Sequence, residues 1–411
     1  MAIGHRMRRA VNVTLVLTAI AGTGWGGYET WAVLSARSEI DAACAELVPA
    51  GKVLRLPYAG GTVETKGEGI DPDRLEGECT AYSSEAGESL PDGGHRRFFT
   101  ASVGIEPEAD ESTADWLHAL DPDDRPYLDT PLGHGIPGIV TDSGVGVKLA
   151  CTGGVRHRGT EVENVVATAV STLHGYGSPF ASGSQMGGPT RDLLASIAVD
   201  TANRMAERLG CADRLPQAPV GIPPAVEKVK PAKQADGTCA WYAKARRDQD
   251  VWLPDRAIGT PTDPEVWTEK CALLMSADGA RKAERAGSKT KVDHMQEEGD
   301  WWASLQSWFG SSADRVVLHA PGDPSVSAEP GRAGRTDDRP GWWASSVCNG
   351  EPAVHTLSLG NHDYPLAATP HFAEIFRAYV QDVAARRGCT GLVLPDAAAF
   401  RSAFVEDADE S

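Results

Sequence analysis

Gly360-Asn361-His362-Asp363 has the make-up of a metal-ligating block in a two-metal phosphoesterase centre, where Asn and His hold the ions. That chemistry also needs D-x-H and G-D-x-x-D upstream and G-H-x-H downstream. Only His371 follows, so the block reads as a turn between a strand and a helix. Gly133-His134-Gly135-Ile136-Pro137-Gly138 fits G-x-G-x-x-G in form, but it holds a proline and opens no amphipathic helix, so it reads as a loop. Ser184 in Gly183-Ser184-Gln185-Met186-Gly187 misses the nucleophile-elbow spacing by one position. The carboxylate groups Asp121, Asp123, Asp124 and Glu297, Glu298, Asp300 read as solvated faces of an acidic chain, and His294, His319 and His355 as strand residues. There is no C-x-x-C, H-E-x-x-H or P-loop, so the expectation is a protein without metal or cofactor, and not an enzyme.

Aromatic residues offer a different chemistry. Trp301-Trp302-Ala303-Ser304 is echoed by Trp342-Trp343-Ala344-Ser345. Successive strand residues point to opposite faces, so each pair sends one ring inward and one outward. Two outward rings on neighbouring strands could form a platform for a sugar ring or a peptide. The alternative is that Trp301, Trp302, Trp342 and Trp343 all serve packing.

Those residues belong to elements that recur along the chain. Val145–Cys151 precedes a glycine pair, a β-branched run and a helix ending at Cys211. Trp342–Cys348 precedes Asn349-Gly350, another β-branched run and a helix ending at Cys389. The second helix carries Phe372, Ile375, Phe376, Tyr379, Val380 and Val383 at helical spacing. The first carries Leu194, Ile197, Ala198, Met205 and Leu209. Thr369 and Pro370 suit an N-cap and first helical position, and Gly210 and Gly388 suit left-handed C-caps, with arginines favoured by the dipole in the last turns. Glu78–Tyr82 is also similar to Thr238–Tyr242. The expected fold is therefore α+β: two related modules, 35–215 and 234–395, each an antiparallel sheet with a C-terminal helix packed on one face. An extended Pro-rich linker, 216–233, joins them. Residues 310–341 read as an exposed excursion, and 396–411 as an acidic tail.

Eight cysteines in such a frame are most simply four disulfides. The recurrence pairs Cys151 with Cys211 and Cys348 with Cys389, leaving Cys44 for Cys79 and Cys239 for Cys271. A rival register, from the likeness of Cys44–Pro49 to Cys211–Pro216, pairs Cys211 with Cys239. A bridge across loops of this size contributes roughly 4 kcal/mol in the loop-entropy view.

Disulfides require an oxidising compartment, and the N-terminus supplies a route to one. Ala10–Tyr28 is a run of 19 uncharged residues. As a helix it spans about 28 Å, close to hydrocarbon thickness. Arg6, Arg8 and Arg9 precede it and Glu29, Glu39 and Asp41 follow, an asymmetry that orients residues 1–9 inside the cell, a membrane anchor over 10–34, and the rest outside. The other reading is a signal peptide cleaved at Ala19-Ile20-Ala21. The formal charge is −18, and more negative still without the first 37 residues, which hold four arginines against Glu29. A body this acidic disfavours nucleic acid.

Together, the anchor, Cys44-Ala45-Glu46-Leu47, Cys79-Thr80-Ala81-Tyr82 and Cys239-Ala240-Trp241-Tyr242 resemble the layout of actinobacterial single-pass membrane proteins with a cysteine-containing extracytoplasmic region. The resemblance implies a cell-membrane location and brings no site residues. The sequence reading is a membrane-anchored, extracytoplasmic, non-catalytic protein that presents a binding surface to cell-wall glycan or another envelope protein. An envelope hydrolase without a linear motif, and a structural or assembly factor, are the alternatives.

Overall fold

The computed structural model describes residues 30–71, 73–88, 94–107, 130–141, 143–171, 186–224, 229–246, 250–287, 302–318, 326–336, 341–359 and 366–400. The chain is α+β, with two large antiparallel sheets and a small two-stranded ribbon. It divides into two compact units, Met1–Ser102 and Val103–Ser411. The uncharged run 10–28 lies outside the described residues. Among the described residues, no helix is long and apolar enough to cross a membrane.

In the first unit, residues 30–43 are helical (α1). A short helix Ala50–Val53 (α2) follows, then strands Val63–Asp71 (β1), Glu76–Glu88 (β2) and His95–Pro107 (β3), in that order across the sheet, with β3 running on past the unit's end at Ser102. Gly69 in β1 has φ +74°, and a Cβ there would meet the Ala43 carbonyl at 2.5 Å. Only glycine lets the end of α1 lie this close to the strand. A bulge between Lys66 and Gly69 accommodates the approach. Cys44, just past α1, is bonded to Cys79 in β2.

The second unit begins with Thr130–Pro131 (β4), Gly138–Val140 (β5), Gly144–Ala150 (β6), Arg156–His157 (β7) and Thr160–Val170 (β8), in the order β8-β6-β5-β4 with β7 beside β8. Gly188–Leu209 (α3) packs across β6 and β8. The chain continues through Lys230–Pro231 (β9), Tyr242–Ala245 (α4), Arg256–Gly259 (β10), Thr268–Leu274 (β11), Ala277–Arg285 (α5) and Trp302–Phe309 (β12). Val317–Leu318 (β13) and Val326–Ser327 (β14) form the ribbon, followed by Gly334–Arg335 (β15), Gly341–Cys348 (β16), Glu351–Leu359 (β17), Phe372–Arg387 (α6) and Cys389–Val393 (β18). The second sheet runs β15-β16-β17-β12-β11-β10-β9, with β18 also on β16.

The two halves share a plan. β10-β11-β12 repeats the meander β1-β2-β3, and β17-β16-β15 repeats β8-β6-β5. Cys79 and Cys271 fall in equivalent strands, Cys151 and Cys348 at equivalent strand ends, and Cys211 and Cys389 just past the closing helices. The four bonds are Cys44–Cys79, Cys151–Cys211, Cys239–Cys271 and Cys348–Cys389. Cys211 is joined to the strand and not to Cys239. One expected parallel fails. Glu78–Tyr82 is strand, whereas Cys239–Tyr242 is a 3-10 turn leading into α4, so Cys239 takes the place of Cys44.

Both closing helices bury the face that their spacing marks. Phe372, Ile375, Phe376, Tyr379, Val380 and Val383 lie against Cys271, Leu273, Ala303, Leu305, Trp342, Ala344 and Leu357 of the sheet. In α3 the buried set includes Leu194, Ile197, Ala198 and Met205, while Leu209 is half-buried. Gly210 and Gly388 are left-handed caps at φ +84° and +67°. The start of α6 differs from expectation. A 3-10 turn, Leu366–His371, contains Pro370, His371 is the N-cap, and the Thr369 hydroxyl donates instead to the Phe400 carbonyl at 2.9 Å.

The Pro-rich segment is no free linker. The Asn203 amide exchanges hydrogen bonds with Leu215, and the Asp192 carboxylate accepts from Gly221 N and Ile222 N at 2.8 and 3.0 Å. Residues 215–222 are thereby strapped along α3, and Lys230–Pro231 then joins the second sheet. The excursion 310–341 is likewise partly folded: Ser312, Ala313, Val316, Ala328 and Thr336 are buried. Within the second unit, the strands β4–β8 and the second sheet touch. Ile139 packs with Val266, Trp267, Trp308 and Val354. Lys148 Nζ donates to Ser311 and Ser312 Oγ, both at 3.0 Å, and stands 5.8 Å over the Trp267 ring. Two hydroxyls and an aromatic face satisfy this buried ammonium at the junction.

Candidate functional site

Alternation along the second sheet sorts its side chains into two faces. Odd positions of β11, β12 and β17, with even positions of β16, face α6. The opposite parity faces away from it. The helix-side face buries a polar chain. His355 on β17 meets Ser307 Oγ through Nδ1 and Ser346 Oγ through Nε2, both at 2.8 Å, and Ser307 Oγ is 2.7 Å from the Tyr379 hydroxyl on α6. Burial lowers the His355 pKa to about 4 and raises that of Tyr379 well above its ordinary value. A neutral imidazole with one donor and one acceptor nitrogen fits two hydroxyl partners. His355, Ser307 and Tyr379 have no solvent-exposed surface, so this Ser–His–Ser–Tyr chain is sealed from any substrate.

Next to it lies Glu269, 3 % exposed, held by Arg386 at 2.6 and 3.1 Å and by Arg387 at 3.4 Å. Burial would lower the Arg386 pKa, but the Glu269 and Asp382 carboxylates outweigh it and the net direction is upward. For Arg387 burial wins and the direction is downward. Arg387 also donates to the Asp263 and Pro264 carbonyls and stacks 4.1 Å from the Phe309 ring centroid. These arginines do more than complement the helix dipole: they tie the last turn of α6 to β11. A signal for this was present, since Glu269 shares parity with the core residues Cys271 and Leu273.

The tryptophans fall in three settings. Trp342 is fully buried, stacked on Phe400 at 4.6 Å, with its indole N–H donating to the Ala399 carbonyl. Trp302 is half-buried against Ile258, Ala272 and Leu274. Trp343 packs on the cluster of Trp267, Trp308 and Val354, its ring lying across Gly334, where any Cβ would strike it. Trp301 lies outside the described residues. The outward rings Trp302 and Trp343 share a face, but β17 separates β12 from β16. Trp343 is level with Gln306, four residues from Trp302. That sets the rings roughly 14 Å apart along the strands and about 10 Å across them. Trp302 and Trp343 therefore do not sit side by side on neighbouring strands.

Among the described residues of the second sheet-and-helix body, two features are open to solvent and offer polar or apolar groups to a partner. One is the pair His371 Nδ1 to Asp250 Oδ2 at 2.6 Å, beside Trp252 at the start of α6, with side chains 33 % and 17 % exposed. The other is a groove of about 380 Å³ between α6 and residues 394–400. Phe376, Leu394, Pro395 and Phe400 line it, with Glu374 and Arg377 also present. Neither was marked in the sequence, because each joins a helix to a segment distant in the chain. Of the other marked residues, Gly133–Pro137 lie in the hairpin loop between β4 and β5, and Gly138 opens β5. The block 360–363, Ser184, His294, His319 and the tail beyond Phe400 lie outside the described residues. Among the described residues no group of His, Cys, Asp and Glu is arranged to hold a metal ion.

No family model, curated protein or solved structure matches the chain.

Proposed function

We propose that the chain is a membrane-anchored, extracytoplasmic, non-catalytic protein whose stapled sheet-and-helix bodies present a binding surface in the cell envelope. The observation that carries this reading is the complete pairing of eight cysteines into four disulfides, which fits an oxidising compartment. The contact region we assign is the groove beside α6. Its apolar floor and its Glu374–Arg377 charges suit an extended segment of another envelope protein better than a glycan, for which an exposed aromatic face is the usual platform. The test is a pull-down of envelope extract with the detergent-solubilised full chain and with Ala378→Trp, which fills the groove. Loss of the captured partner in the variant supports the reading, and equal capture overturns the groove as the contact.

The partly exposed His371–Asp250 pair favours a second reading, an envelope hydrolase with a carboxylate-oriented imidazole as general base. Release of peptide or sugar from envelope polymer by the wild type, and its loss in His371→Gln, would support that alternative.

A further inference from the structure

The first described helix changes character along its axis. Its body-facing side is set by Ala36 and Ile40, 7 % and 0 % exposed. Trp31, Val33 and Leu34 are 65 %, 57 % and 60 % exposed. At about 100° per residue, Val33 falls on the same side as Ile40, Leu34 about a third of a turn away, and Trp31 opposite. With Ala32 between them, four consecutive apolar residues ring the whole circumference. Arg37, Glu39 and Asp41 appear only beyond them, Arg37 reaching Asp41 at 3.6 Å. A helix lying flat on a surface divides apolar from polar around its axis. One that rises out of an apolar layer divides them along it.

We infer that residues 30–34, which follow closely on the uncharged run Ala10–Tyr28 in the sequence, stand in the outer headgroup layer of the membrane. The inference rests on the anchored reading above. An uncharged run of 19 residues is long enough for the hydrocarbon layer, and the helical residues 30–34 add about 8 Å, close to the depth of a headgroup layer. Trp31 is at home there, since an indole prefers the interface. Ala36, the first buried residue, is then only about 3 Å above Leu34, so the first unit is seated on the headgroups and does not swing on a tether. A chain cleaved after Ala21 would instead leave Trp31, Val33 and Leu34 facing water.

The full chain in vesicles of phosphatidylethanolamine and phosphatidylglycerol tests this, with single cysteines placed at Trp31, Val33, Leu34, Ser38 or Ala42. All native cysteines are bonded, so the new thiol alone takes a nitroxide label without reductant. The expected result is an oxygen-to-nickel accessibility ratio severalfold higher at 31, 33 and 34 than at 38 and 42, with no helical oscillation among the first three. Nickel accessibility at 31–34 equal to that at 38, in protein that stays with the vesicles after an alkaline wash, overturns the seated helix and leaves the anchor standing. Protein released by the wash overturns both.

Discussion

His355 links a single side chain to the pH response of the fold. Its folded pKa is about 4, against 6.5 for an ordinary histidine, because burial penalises the imidazolium. The unfolded chain therefore takes up a proton near pH 6.5 that the folded chain refuses until about pH 4. This contribution is complete above about pH 6.5 and is lost as pH falls through that window, about 3 kcal/mol in all. Urea unfolding at pH 7 and 4.5 should show the loss, and His355→Gln, which keeps hydrogen-bonding capacity without titrating, should flatten it. Equal slopes would remove His355 from the account. Glu269 makes a sharper case. Glu269→Ala takes the carboxylate away from the buried Arg387 and leaves Arg386 with Asp382 alone, at an expected cost of about 3–5 kcal/mol in unfolding free energy, with Glu269→Gln costing less. Both residues were half legible in the sequence. Parity with Leu357 and with Cys271 places them on the core face, but the partners, on α6 and across strands, are distant in the chain.

Elements were most legible where a period ran undisturbed. The faces of α3 and α6 follow from 3.6-residue spacing, and the glycine caps from the need for positive φ. Strand alternation sorts the rings of Trp342 and Trp343 correctly into opposite faces, yet it says nothing about strand order. The insertion of β17 between β12 and β16 separates Trp302 from Trp343. The strap along α3 was illegible for a related reason. A proline-rich stretch has no period, and Asn203 and Asp192 look like ordinary helix-surface residues until residues 215–222 come back to them. Asp192→Ala should speed hydrogen exchange at the Gly221 and Ile222 amides while leaving α3 protected. Unchanged exchange would mean that the strap is held elsewhere. Gly334→Val, whose side chain would enter the Trp343 ring, should cost about 1–3 kcal/mol.

At the scale of the whole molecule, two bodies of shared strand order are each closed by a helix, and each helix is bonded at its end to its own sheet. Strand and helix-end cysteines recurred in the sequence, so these two pairs were readable there. The contact of the bodies at Lys148, Ser311, Ser312 and Ile139 was not, since none of these residues carries a mark of its partner. Compartment, anchoring and binding all depend on the thiols being oxidised where the protein works. The most direct measurement is alkylation of intact cells of the native host before lysis, followed by peptide mapping without reduction. The account predicts no alkylated cysteine and four linked peptides, Cys44–Cys79, Cys151–Cys211, Cys239–Cys271 and Cys348–Cys389. Eight alkylated thiols would contradict it.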